Sequence, residues 1–201
     1  MQYGMVIDLQ RCVGCNSCTI ACRMEHGTPA GILFHKVKKY EVGKYPSAKL
    51  RLLPMPCMHC QDPACIKVCP TGATYQRDDG LVLIDEKKCM GCRYCIIACP
   101  YDSRRFLDEI VNYYGGKSVT PFEKVKQKNF TRGTVVKCNF CEHRLAQGLL
   151  PACVVTCPAQ ARYFGDLDDP NSEVSRLIAD GNGAPLHEEF GTKPSVYYLP
   201  A

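Results

Sequence analysis

Sixteen of the 201 residues are cysteine, and they fall into four groups of four. The groups are Cys12, Cys15, Cys18 and Cys22; Cys57, Cys60, Cys65 and Cys69; Cys89, Cys92, Cys95 and Cys99; and Cys138, Cys141, Cys153 and Cys157. A chain so loaded must fold around whatever its thiols hold. Four thiolates suit one cubane iron–sulfur cluster, so the count predicts four [4Fe–4S] clusters. Groups one and three read C-x2-C-x2-C-x3-C. Cysteines at i, i+3 and i+6 in a tight loop converge on three corners of one cube. The fourth, just inside the following helix, points elsewhere, and in two-cluster folds it ligates the neighbouring cluster. The spacing therefore signals paired clusters.

Disulfides and zinc fit worse. Disulfide scaffolds are usually small secreted domains that cannot build a core. Cysteines three apart would form strained, reducible bridges. Zinc sites build a tetrahedron from separated cysteine pairs. They do not call for three cysteines in seven residues, nor for proline after the last ligand. That proline recurs here at Cys69-Pro70, Cys99-Pro100 and Cys157-Pro158.

A chain of this length can bury a sizeable core, much of which would here be inorganic. The absence of tryptophan agrees with clusters replacing side-chain bulk. The formal charge of +5 counts thiols as neutral. With sixteen thiolates and four oxidised cores the holoprotein stands near about −3, so the basic balance does not call for nucleic acid. Basic residues beside the motifs (Arg11, Arg23, Lys67, Lys87, Lys88, Arg93, Arg104, Arg105, Lys137, Arg144) are placed to offset cluster charge. No segment approaches the roughly 18–20 apolar residues that span a bilayer, and Met1–Leu9 lacks the basic and apolar regions of a signal peptide. The chain is expected to be a soluble subunit without a signal of its own.

The chain repeats internally. Gly4 to Cys15 matches Leu81 to Cys92: an apolar run, an aspartate (Asp8, Asp85) four residues before the first ligand, and a glycine (Gly14, Gly91) before the second. Such a glycine permits positive φ or close backbone approach, and the aspartates are read as caps on the turns. Cys69 to Tyr75 likewise resembles Cys157 to Tyr163. The unit reads strand, cluster loop, short helix. Strands are predicted at 4–8, 49–53, 73–77, 81–85, 162–165 and 195–199, and helices at 16–24, 63–68, 93–98, 142–147, 151–156 and 172–179. The expected class is α+β, with two ferredoxin-like lobes of short strands and helices around four clusters in a single compact unit, 1–201. One lobe holds motifs one and four (about 1–48 and 137–170) and the other motifs two and three (about 49–105). An insertion (106–136, marked by Tyr113-Tyr114 and Gly115-Gly116) and a tail (171–201) complete the chain. The connections 23–56 and 100–137 read as irregular, and such long segments are usually functional or partner-facing. His59 and His143 sit beside ligands and are read as hydrogen-bonding or surface residues. Tyr94 and Tyr101 are expected to pack against a cluster.

The motifs resemble the four-cluster iron–sulfur subunits of the dimethyl sulfoxide, polysulfide, thiosulfate and respiratory arsenate reductases. The resemblance is carried by Cys57-Met58-His59-Cys60, Pro63-Ala64-Cys65, Cys69-Pro70-Thr71-Gly72-Ala73, Cys99-Pro100-Tyr101, Lys137-Cys138-Asn139-Phe140-Cys141, His143-Arg144-Leu145, Pro151-Ala152-Cys153 and Phe164-Gly165-Asp166-Leu167-Asp168-Asp169-Pro170. It spans about residues 3–170 and departs most at 101–136. It implies crossed ligation: Cys12, Cys15, Cys18 and Cys157 for cluster 1; Cys22, Cys138, Cys141 and Cys153 for cluster 2; Cys57, Cys60, Cys65 and Cys99 for cluster 3; Cys69, Cys89, Cys92 and Cys95 for cluster 4. Some relatives replace one ligand and hold a three-iron centre, but here every position is cysteine.

The resemblance also implies partners. One is a molybdenum- or tungsten-bis(pyranopterin) catalytic subunit, the other an integral-membrane, quinone-reactive anchor. It implies a place at the cytoplasmic membrane, on the outer face by co-export with a signal-bearing partner or on the cytoplasmic side. The alternative is a polyferredoxin-type carrier serving a hydrogenase or formate dehydrogenase. A catalytic site and a small-molecule substrate of its own are not expected, because the chain has no phosphate loop, dinucleotide fingerprint or nucleophile elbow. Metal and sulfide analysis of anaerobically purified protein is expected to give about sixteen irons per chain. Four zincs, or iron near about eight, would contradict that count.

Overall fold

The computed structural model describes residues 1–115 and 119–200, so Gly116 and Ala201 lie outside the described residues. The elements are β1 (Tyr3–Asp8), α1 (Ser17–His26), β2 (Lys36–Val42), β3 (Lys49–Met55), α2 (Ala64–Lys67), β4 (Thr74–Gln76), β5 (Val82–Ile84), α3 (Tyr94–Ile97), β6 (Arg104–Phe106), α4 (Pro121–Lys126), β7 (Val135–Lys137), α5 (Glu142–Leu145), α6 (Ala152–Val155), β8 (Arg162–Asp166), α7 (Glu173–Asp180), β9 (Ala184–Pro185) and β10 (Val196–Leu199). The predicted α+β class holds, and every predicted strand and helix appears within a few residues of its expected limits.

Gly4-Met5-Val6-Ile7 is buried on both faces. A continuous apolar run of this kind suits a central strand, and β1 lies inside a sheet of order β8-β1-β10-β9. It pairs antiparallel with β8 and parallel with β10. Met5 and Ile7 face a core they share with cysteines. Val6 faces the other way, under α7, with Val174 and Leu199. The helix α7 starts at Ser172, whose hydroxyl accepts the Ser175 N–H at 3.2 Å, an N-cap of the usual kind.

The internal repeat appears as packing. In one half, α1 packs on α6 beside β1 and β8; in the other, α2 packs on α3 beside the hairpin β4–β5. The first of these packings joins a helix of motif one to a helix of motif four, and the second joins helices of motifs two and three.

Four strands lie outside the sequence expectation. The 23–56 connection is not irregular: β2 pairs with β3 in register from Lys36↔Met55 to Val42↔Lys49. The β2 run Lys-Val-Lys-Lys-Tyr-Glu-Val is polar on both faces because this ribbon projects and is largely exposed, so it lacks the apolar alternation that marks a strand. The 100–137 connection is closed at its base by β6–β7, three residues each. Its α4 begins with a capping box between Thr120 and Glu123. The segment is strapped to the first half by Lys126 Nζ donating to the Glu25 carbonyl at 2.6 Å and Tyr113 Oη donating to the Thr28 carbonyl at 2.6 Å. The tail strand docks on the fold, with β10 between β1 and β9.

Tyr198 on β10 is buried, and its hydroxyl donates to the Pro54 carbonyl at 2.7 Å, tying the tail to β3. Tyr198→Phe removes that hydrogen bond and is expected to destabilise the holoprotein by about 1 kcal/mol, read as a lowered thermal unfolding midpoint.

Candidate metal centres

The ligand loops are built by the same local rules twice. Asp8 Oδ1 accepts the N–H groups of Gln10 and Arg11 at 2.8 and 3.1 Å, and Asp85 Oδ1 accepts that of Lys87 at 3.0 Å. The carbonyls of Asp8 and Asp85 each accept from the first cysteine of the loop, Cys12 or Cys89, at 3.1 Å. The turn-capping role read from the sequence is therefore present. Gly14 and Gly91 take φ of 65° and 73°. A Cβ on Gly91 would also stand 2.2 Å from the Gly133 carbonyl oxygen. Both loops end on helices that carry further thiols: Cys18 and Cys22 on α1, and Cys95 on α3.

The fold gathers the thiols across the repeat. Cys12, Cys15, Cys18 and Cys157 line one cavity. Cys69, Cys89, Cys92 and Cys95 line another. Cys22 lies with Cys138, Cys153 and Cys141; burial, then repulsion from these three thiolates, pushes it well above an ordinary thiol. Burial, then Cys57, with smaller contributions from Cys65 and Cys99, pushes Cys60 up to about 12 against a hydrogen bond to Thr192. Burial likewise takes Cys138 and Cys141 to about 12.

These thiols suit a charged multi-iron core. A buried thiol at about 12 stays protonated at neutral pH unless a cation joins it, and metal binding requires the thiolate. Among the described residues, no three His, Cys, Asp or Glu side chains stand close enough to share a single metal ion.

Two outer thiols, Cys15 and Cys69, are stabilised as anions by local donors. The Ser17 hydroxyl, 3.3 Å from Cys15 Sγ, lowers that thiol. Burial opposes ionisation of Cys69, but the Thr74 N–H at 3.4 Å and Thr71 outweigh it. In the matching turn the Ala161 N–H points at Cys157 Sγ at 3.4 Å. Hydrogen bonds to cluster sulfurs are one of the protein's means of tuning potential.

His59 is fully buried and stacks on Phe140 with ring centroids 3.8 Å apart. Its Nδ1 lies 3.1 Å from the Val82 N–H, which can only donate, so Nε2 carries the proton and donates to the Cys138 carbonyl at 3.0 Å. Burial, then Lys137, holds this imidazole neutral, well below its usual range. His143 is exposed and bonds Glu25 at 2.8 Å. Tyr101 is buried and hydrogen-bonds Thr192 Oγ1 at 2.7 Å. Tyr94 departs from expectation: it is 59 % exposed and turns outward from α3, because the thiols occupy the helix's inner face.

Of the ten basic residues beside the motifs, only Arg104 and Lys137 are buried. Arg93 is instead stacked on Phe106 at 3.6 Å. The sequence reading missed Arg162, which is 5 % exposed and has Nη1 3.6 Å from Cys153 Sγ. Its one signal was a charge following Ala161 at the strand position that Thr74 occupies in the matching repeat.

The 4Fe-4S dicluster domain model matches residues 48–115 and 112–167, and a second dicluster model matches 11–73. The chain belongs to the 4Fe–4S dicluster iron–sulfur subunits. It is 46 % identical to a selenate reductase subunit of Mesobacillus selenatarsenatis, over 99 % of this chain and 72 % of that protein. It is 43 % identical to a tetrathionate reductase subunit of Salmonella typhimurium, over 98 % of this chain and 72 % of the relative. It is 41 % identical to the iron–sulfur subunit of the arsenate respiratory reductase of a Shewanella species, over 99 % and 96 %. The dicluster subunit carries four [4Fe–4S] clusters and works in electron transfer, as the cysteine pattern predicted. No helix among the described residues is long and apolar enough to cross a membrane.

The Gly91→Ala variant combines strained φ with a backbone clash. It is expected to lose about a quarter of the iron, one cluster's share, while the other clusters persist in metal analysis and EPR.

Proposed function

We propose that the chain conducts electrons between a molybdenum- or tungsten-pterin catalytic subunit and a quinone-linked membrane anchor of a respiratory reductase, holding its clusters by the crossed cysteine sets. When bound, the clusters supply one-electron redox chemistry. The observation that carries the reading is the order of the thiol sets. Cys18 of the first set repels Cys153 of the second. Cys138 of the second repels Cys57 of the third. Cys65 of the third and Cys95 of the fourth share Arg104. These neighbour relations support an in-line order of the sets, 1-2-3-4.

Both ends of the line open outward. Cys15 of the first set and Cys92 of the fourth are the two exposed cysteines. Beside them stand exposed apolar side chains, Val13 and Ile20 at one end and Met90, Tyr94 and Ile97 at the other. A conductor with two apolar-rimmed exits suits two protein partners, one at each end. The similar proteins are subunits of selenate, tetrathionate and arsenate reductases, which supports a reductase complex. Lobes split near 1–48 with 137–170 and near 49–105 accord with this arrangement.

Two measurements test the proposal. Anaerobic purification from native cells is expected to recover the chain with a large pterin-containing subunit; a monodisperse 22.4 kDa species would favour a free carrier. Cys22→Ser and Cys141→Ser, if they remove ligands from one cluster, are expected together to cost about four irons. A loss of about eight from the double variant would place them on separate clusters and break the crossed scheme.

A further inference from the structure

Three cations are buried where the thiols gather. Arg104, Lys137 and Arg162 are 2 %, 5 % and 5 % exposed. None of them pairs with a carboxylate among the described residues. An isolated buried charge is strongly unfavourable, so each needs an anion that the acidic side chains do not supply. Two of them sharpen the demand. Arg104 and Lys137 are direct cross-strand partners in β6–β7, where like charges facing each other destabilise a ribbon. Arg104 Nη1 donates to Thr74 Oγ1 at 3.1 Å, but its buried Nη2 has no hydrogen-bond partner among the described residues.

Each cation stands against thiols of two successive sets. Arg162 Nη1 is 3.6 Å from Cys153 of the second set, and the residue lines the same cavity as Cys12, Cys15, Cys18 and Cys157 of the first. Lys137 Nζ donates to the Cys138 carbonyl at 2.8 Å and to that of Val82. Its charge acts on Cys138 of the second set and Cys65 of the third. Arg104 bonds Thr74, whose N–H lies 3.4 Å from Cys69 of the fourth set, and its charge also acts on Cys65 and Cys57 of the third.

We infer that Arg162, Lys137 and Arg104 are junction cations, one between each successive pair of clusters, which raise the reduction potentials of the pair they separate. The inference rests on the ligand sets proposed above. Reduction adds one electron and one negative charge to a cluster, with no bond made or broken. A fixed cation in a dry interior favours the more negative state. Standing between two clusters, it favours the electron on either, and so evens the step between them. Arginine at the outer two junctions cannot lose its proton.

The test is a potentiometric EPR titration of the intact iron-loaded protein with Arg162→Gln, Lys137→Met and Arg104→Gln. Each variant is expected to lower the potentials of two of the four clusters. The oxidised-to-reduced ratio at fixed poise should rise about tenfold, or about 59 mV for a one-electron couple. A different pair should move in each case. Arg162→Lys and Arg104→Lys keep the charge and are expected to hold wild-type potentials. If a neutral variant fails to assemble, it should lose iron from its own pair only, while the lysine variant keeps full iron. Neutral variants with full iron and unmoved potentials, or lysine variants that shift as far as the glutamine ones, would overturn the inference. The iron counts of the cysteine double variants judge the ligand sets separately, so failure of either reading can be told from failure of the other.

Discussion

The structure depends on one exchange of charge. Thiols at the centre of this protein are too deeply buried to ionise alone, and the arginines and lysine beside them are too deeply buried to stand alone. An iron–sulfur core resolves both, because it turns the thiols into bound thiolates whose net charge remains negative enough to face a cation. The apolar contribution is modest by comparison. Met5, Ile7, Leu81, Leu83 and Phe140 form a single core with Cys18, Cys22, Cys57, Cys138 and Cys153. The hydrophobic residues and the metal ligands are thus one packing layer, and loss of metal removes the support of both.

That layer also explains why the secondary structure is so slight. Helices α2, α3, α5 and α6 have four residues each, far below the length at which a helix sustains itself in water. They persist because they are pinned, α2, α3 and α6 by Cys65, Cys95 and Cys153 within them and α5 by Cys141 at its N-cap. The β4–β5 and β6–β7 ribbons are similarly too short to stand alone. In the second ribbon, strand pairing is what sets two cations side by side, so local structure serves charge placement more than core burial.

Most of the architecture was legible in the cysteine spacing and in the repeat it punctuates. A ligand loop leaves a fixed signature, since thiols three apart, a glycine with positive φ and an aspartate that caps the turn are all local requirements. The strands of the repeat were equally visible because Gly4–Ile7 and Leu81–Ile84 are apolar runs. What escaped was structure whose partners are not apolar. The β2 strand is polar because it is exposed, and the β6 strand Arg104–Phe106 has no apolar alternation because Arg104, one of ten cations read as offsetting cluster charge, takes a buried strand position. Arg162 was missed for the same reason. A charge is normally a surface signal, and it loses that meaning only where the interior itself is charged.

The sheet order β8-β1-β10-β9 has a consequence for biosynthesis. Both neighbours of β1 lie far along the chain, so β1 waits for residues 162–199 before either edge is covered. The hairpin β4–β5 and helices α2 and α3, by contrast, lie within residues 64–97 and can close early. The stretch around Cys12 to Cys22 therefore stays open to oxygen, and to whatever machinery delivers iron and sulfide, until those later strands have docked.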